Sequence, residues 1–147
     1  MKSQNYLPFK YIEATKLSRQ ELMTLIHQQL RPELSDLSVD RIAALIEARE
    51  QQSDTYIGNG TMLLHLDTTQ LRANRVLIIN IGDKMAWQSP QGPSQYQINH
   101  ILVLAVNQNL ATDMGRIRQL MTKLVEEDFF AQLHQAAGQH QLASVLP

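Results

Sequence analysis

The sequence predicts a single α/β domain over residues 1–147, with a mixed β-sheet of about five strands sandwiched between helices. Three observations carry this. The stretch ILVLAV, residues 101–106, is apolar at every position, as expected of a central strand covered on both faces. Around it, strand-like runs are interspersed with segments whose apolar residues recur every three or four positions, the pattern of helices that bury one stripe. Finally, 147 residues, 44% hydrophobic and 18% charged, suffice for one substantial core and leave little for a second domain.

In chain order, PFKYIEA (8–14) reads as a short strand. In KLSRQELMTLIHQQL (16–30), Ser18 and Glu21 stand at capping-box spacing, so a helix starts there. Leu22, Leu25, Ile26 and Leu30 form its stripe and Pro32 ends it. SVDRIAALIEAREQQ (38–52) repeats the design, with Ser38 as cap and Ile42, Leu45 and Ile46 as stripe. Arg49 follows Leu45 by four residues and Ile46 by three. Its long side chain therefore lies near the apolar face, at the helix end, and can reach past the edge of the core. A cation there also complements the helix dipole.

Four further runs read as strands: TMLLHL (61–66), RVLIINI (75–81), KMAWQ (84–88) and YQINHILVLAV (96–106). The turn signals Gly82-Asp83 and Ser89-Pro90-Gln91-Gly92-Pro93 bound them. TDMGRIRQLMTKLVEE (112–127) is a helix with Met114, Ile117, Met121 and Leu124 as its stripe. A short helix in EDFFAQLHQA (127–136) is ended by Gly138.

Composition removes several function classes. A net charge of -1 with 13 scattered Lys and Arg gives no basic patch for nucleic acid. The absence of cysteine excludes disulfides, thiolate metal sites and cysteine nucleophiles within this chain. No apolar run is long enough for a signal peptide core or a membrane span, which reads as a cytoplasmic protein without membrane insertion.

The stretch TYIGNGTMLLH (55–65) ends on His65, which at a strand end reads either as a satisfied structural side chain or as a nucleophile. It lacks the third glycine of a dinucleotide fingerprint and leads into a strand, so nucleotide binding has no support. Gly58 and Gly60 offer backbone freedom and N–H groups that can line a concavity beside His65. A neutral imidazole is nucleophilic near pH 7, and a phosphoryl group accepted on it stays transferable. Arg49 then neutralises the oxygens. The other histidines contribute little. His100 starts the central strand, about 20 Å from its Asn107 end. His27 lies on a polar flank, and His134 and His140 lack the i, i+4 spacing of a helical metal site.

The segment LIEAREQQSDTYIGNGTMLLH (45–65) resembles the active-site stretch of the enzyme IIA components, fructose and mannitol type, of the bacterial sugar phosphotransferase system. The matching positions are Arg49 and Glu50, Ser53 to Thr55, Ile57, Gly58, Gly60 and His65. The resemblance implies a phosphocarrier without cofactor, metal or nucleotide. His65 would take a phosphoryl group from the phosphohistidine of the carrier HPr and pass it to the cysteine of a sugar-specific enzyme IIB. Arg49 would be the phosphate partner, with Gly58, Gly60 and Asp113 lining the site.

The chain departs from the family pattern at three places. Leu64 and Leu66 flank the histidine where the family usually has proline before it and often a small residue after it. Asp113 stands at or beside the position of a second family histidine. There it either caps a helix or accepts a hydrogen bond from the imidazole and sets its tautomer, with Arg116 one turn along to offset its charge. A transient partner calls for exposed apolar residues around His65, with Met62 as the candidate, and an apolar rim also permits a homodimer. The competing reading is a regulatory domain of the same fold, phosphorylated on His65 or transfer-inactive, that acts by binding partners.

Overall fold

The computed structural model describes residues 9–53, 55–124, 126–135 and 138–146. Five strands run β1 (Phe9–Ala14), β2 (Tyr56–Gly58), β3 (Thr61–Asp67), β4 (Arg75–Gln88) and β5 (Gln95–Val106). The helices are α1 (Arg19–Leu30), α2 (Val39–Glu50), α3 (Met114–Lys123), α4 (Glu127–Gln135) and α5 (Gln139–Val145). The sheet order is β1-β4-β5-β3-β2, with β1–β4 and β3–β5 parallel and β4–β5 and β2–β3 antiparallel. The mixed five-stranded sheet expected from the sequence is thus present, with β5, which ends in the all-apolar run 101–106, at its centre.

Alternation along the strands divides the core in two. Met62, Leu64 and Leu66 of β3, Leu77 and Ile79 of β4 and Ile101, Val103 and Ala105 of β5 face α1 and α2, packing on Leu22, Ile26, Ile42 and Ile46. Their neighbours Val76, Ile78, Leu102, Leu104 and Val106 face the other way, against Ile117 and Leu120 of α3 and Phe129 and Leu133 of α4. The period of two in each strand makes this division unavoidable once both faces are covered. No helix among the described residues is long and apolar enough to cross a membrane.

Both early helices start where their caps predict. Ser18 and Glu21 close a reciprocal capping box, and the Ser38 side chain accepts the Arg41 N–H. Other expectations are corrected. Gly82-Asp83 is no turn, because the Asp83 N–H donates to Thr15 O at 2.8 Å. The end of β1 so holds this stretch extended, and residues 75–88 form one strand whose register against β5 slips between Asn80 and Met85. A strand was missed at Tyr56–Gly58. It forms a hairpin with β3 through Asn59 and Gly60, both at positive φ (51° and 72°), the conformation that an Asn-Gly pair favours. Met62 is buried in the α1/α2 face and cannot serve as a docking residue. On α3, Met114, Ile117 and Leu124 of the expected stripe pack on the core and Leu120 joins them, while Met121 is 41% exposed. Helix α5, after Gly138 at φ +91°, was not foreseen.

One buried charge organises the end of α2. Glu50 is 2% exposed; it pairs with Arg19 at 3.0 Å and accepts the Trp87 indole N–H at 2.9 Å, while the Arg19 guanidinium lies 4.0 Å over the Trp87 ring. Gln91, from the β4–β5 turn, donates to the carbonyls of Glu50 and Gln51 at 2.9 and 2.8 Å, satisfying groups that a helix end leaves open. Glu50→Ala removes the acceptor of a buried indole N–H and is expected to cost about 1–3 kcal/mol of unfolding free energy. Glu50→Gln keeps an acceptor and should cost less. Urea denaturation followed by the fluorescence of the single tryptophan checks the order of the two.

Candidate functional site

The site forms where two layers meet at the sheet edge. Because β3 alternates, His65 and Asp67 project to the α3 face while their neighbours Leu64 and Leu66 are fully buried against α1 and α2. Strand β2 pairs with Thr61 and Met62, and the Leu63 N–H donates to Thr55 O at 2.9 Å. His65 lies two residues beyond that last bond. Among the described residues no strand covers the outer edge of β3 there. Arg49, at the last turn of α2 on the opposite face of the sheet, comes round this open edge and shares a cleft with His65. It also donates to Ser53 Oγ at 3.3 Å.

The cleft holds about 270 Å³. Leu104, Val106 and Ile117, all buried, form its floor; Arg49, Asp67 and Arg118 supply its charged groups, and His65 its imidazole. Helix α3 presents Met114, Ile117, Arg118 and Met121 to it, spaced as one helical face. Two buried asparagines fix the approach of that helix. Asn74 accepts the Asn107 N–H at 2.7 Å and donates to the carbonyls of Leu110 and Thr112, both at 3.1 Å. The Asn107 side chain donates to Leu71 O at 2.9 Å. The loop from β5 into α3 is thereby tied to the chain preceding β4.

Of the residues the sequence singled out, the structure brings Arg49 and His65 together and leaves the others outside. Gly58 and Gly60 stand at the β2–β3 hairpin. Gly60 lies five residues before His65, about 16 Å along an extended chain, and its N–H donates to the Tyr56 hydroxyl at 3.0 Å. Asp113 does occupy the N-cap position of α3. It sits there in the left-handed region (φ 64°) without a side-chain capping bond and outside the cleft lining. The carboxylate that faces the imidazole is Asp67, and the arginine of α3 that reaches the cleft is Arg118; Arg116 instead lies 5.9 Å over the Phe9 ring. Both were legible by spacing, Asp67 because i and i+2 share a strand face and Arg118 because it lies four residues after Met114 and three before Met121 on the expected stripe. Asp54 of the matching segment lies outside the described residues. His100 pairs with Thr61 across β3–β5 and bonds Asn80 at 2.8 Å, far from the cleft. Among the described residues no cluster of three or more His, Asp or Glu could hold a metal ion.

His65 is half-buried. Loss of hydration pushes its pKa below the ordinary 6.5, the Arg49 guanidinium lowers it further, and Asp67 partly offsets both. The ring is therefore neutral at pH 7, with a lone pair available. A folded pKa below the unfolded one means that the stability contributed by this ring is complete above pH 6.5 and is lost as pH falls toward the folded value. An NMR titration should find the His65 pKa below 6.5, raised in Arg49→Ala and lowered further in Asp67→Asn. A fall in the arginine variant would contradict this electrostatic picture.

Comparison with known proteins adds the following. The family described as phosphoenolpyruvate-dependent sugar phosphotransferase system, EIIA 2, matches residues 8–147. The 2-O-alpha-mannosyl-D-glycerate-specific EIIABC component of Escherichia coli (strain K12) is 22% identical over 135 residues, 92% of this chain. The chain spans 20% of the length of that relative. Among solved structures, the nitrogen regulatory protein IIA-Ntr of Neisseria meningitidis superposes with a TM-score of 0.70 at 18% identity, covering 97% of this chain and 95% of the other. Enzyme IIAMTL of Escherichia coli, solved in complex with phosphorylated enzyme IIBMTL, superposes at 0.57 with 14% identity, covering 93% and 96%.

Proposed function

The chain belongs to the EIIA 2 family of the phosphoenolpyruvate-dependent sugar phosphotransferase system, and from that premise we propose that it is a histidine phosphocarrier acting through His65. A ring nitrogen of His65 attacks the phosphorus held on the phosphohistidine of HPr. The new N–P bond forms as the donor's N–P bond breaks, and that electron pair returns to the donor ring. In the second step a thiolate sulfur of enzyme IIB forms an S–P bond, the bond to His65 breaks, and its pair returns to the imidazole.

The observation that carries this reading is the neutral, half-buried imidazole sharing a small cleft with a guanidinium. Phosphoryl transfer of this kind needs in-line positioning and charge stabilisation more than acids and bases. The apolar floor of Leu104, Val106 and Ile117 keeps water from one side of the group, which strengthens the electrostatics and protects the labile N–P bond. With an effective dielectric near 20 and a separation of about 5 Å, Arg49 contributes about 3 kcal/mol per unit of opposing charge. The Met121 side chain, exposed beside the cleft, takes the docking role that the sequence assigned to Met62.

A regulatory domain is the second reading. Asp113 favours it, because a carboxylate stands at or beside the position where the family commonly has a second histidine. It either shares the first step and lacks onward transfer, or takes no phosphoryl group and acts only by binding partners.

Incubation with phosphoenolpyruvate, enzyme I and HPr is expected to add one acid-labile phosphoryl group, detected by intact mass. His65→Ala should abolish the gain, and Arg49→Ala should slow it about 100-fold. An unlabelled wild-type chain overturns the carrier reading. Labelling without transfer to any enzyme IIB selects the regulator.

A further inference from the structure

We propose that Arg118 is a second phosphate-holding residue, gripping the phosphoryl group on His65 from the α3 side while Arg49 holds it from the α2 side. This deepens the phosphocarrier reading and rests on it. With His65 neutral, the charged groups lining the cleft are Arg49, Asp67 and Arg118; the remaining lining is apolar apart from Gln108. Arg49 alone merely balances Asp67, which would leave a phosphoryl dianion over an apolar floor with no net counter-charge. Arg118 makes the lining cationic.

The placement of Arg118 fits that role. It follows Met114 by four residues and Ile117 by one, and it precedes Met121 by three, so it belongs to the face that α3 turns to the cleft. The other cations of α3 are engaged elsewhere, Arg116 over Phe9 at 5.9 Å and Lys123 over Phe129 at 5.8 Å. Among the described residues the Arg118 guanidinium has no carboxylate within ion-pair distance. A guanidinium also presents paired N–H donors that match two phosphoryl oxygens at once. Asn74 and Asn107, by fixing the loop that enters α3, hold this arginine at its distance from β3.

Phosphoramidate tests this without a protein donor, since it gives its phosphoryl group to an imidazole and releases ammonia. The wild-type chain, Arg118→Ala, Arg118→Lys and the control Arg116→Ala are each treated with it. Labelling is followed by intact mass, and the second ionisation of the His65 phosphoryl group by ³¹P NMR. Arg118→Ala is expected to label at least 10-fold more slowly and to show that ionisation at higher pH. Arg118→Lys should recover most of both, and Arg116→Ala should match wild type. If wild type labels on His65 but Arg118→Ala labels as fast, with an unmoved ³¹P titration, the role of Arg118 is wrong and the carrier reading stands. A wild-type chain that takes no phosphoryl group on His65 overturns both.

Discussion

The site depends on where one short strand stops. Arg49 rises from a helix on one face of the sheet and His65 projects from the other, and a sheet edge closed by a full-length neighbour would keep them apart. Strand β2 is only three residues long and pairs with the first rungs of β3. Beyond the Thr55–Leu63 bond, the chain from α2 can carry a guanidinium over the rim into the cleft. The Asn59-Gly60 turn ends β2 and starts β3 at Thr61, so the rungs that β2 pairs lie before His65.

Around that opening the protein invests rigidity. The end of α2 is held by Glu50, through Trp87 and Arg19, and by Gln91 on its last carbonyls, so the residue beside Arg49 is among the most firmly tied in the molecule. On the far side, Asn74 and Asn107 fix the entry to α3. Each support is centred on buried polar groups, Glu50 on one side and Asn74 and Asn107 on the other, whose hydrogen bonds are made within the fold, and such groups specify one geometry more sharply than apolar packing does. The cleft between them can therefore hold charged groups at fixed separations without those groups pairing off. That is the condition for a preorganised anion site.

Electrostatics and burial act together on His65. Partial burial and Arg49 both favour the neutral ring, and Asp67 limits how far the shift goes. In the proposed carrier role, the guanidinium that suppresses a proton on the ring would also attract the phosphoryl dianion to it, one charge serving nucleophile and product alike. Leu64 and Leu66, which depart from the family pattern on either side of the histidine, are fully buried on the opposite face. They anchor the strand instead of shaping the cleft.

The sequence by itself determined what depends on local pattern. The caps of α1 and α2, the all-apolar run of the central strand and the two-faced core followed from periods of two and about three and a half, and Arg49 and His65 were singled out through the family resemblance of the segment that carries them. Tertiary structure decided what depends on elements meeting. Gly82-Asp83 stayed extended because the end of β1 supplied a partner, and Met62 was buried because α1 and α2 covered its face. Arg118 rather than Arg116 entered the cleft, and Met121 was left exposed beside it, because packing Ile117 and Leu120 on the sheet sets how α3 lies. A helix's own sequence offers several nearly equivalent stripes, and only the surface it packs against selects among them.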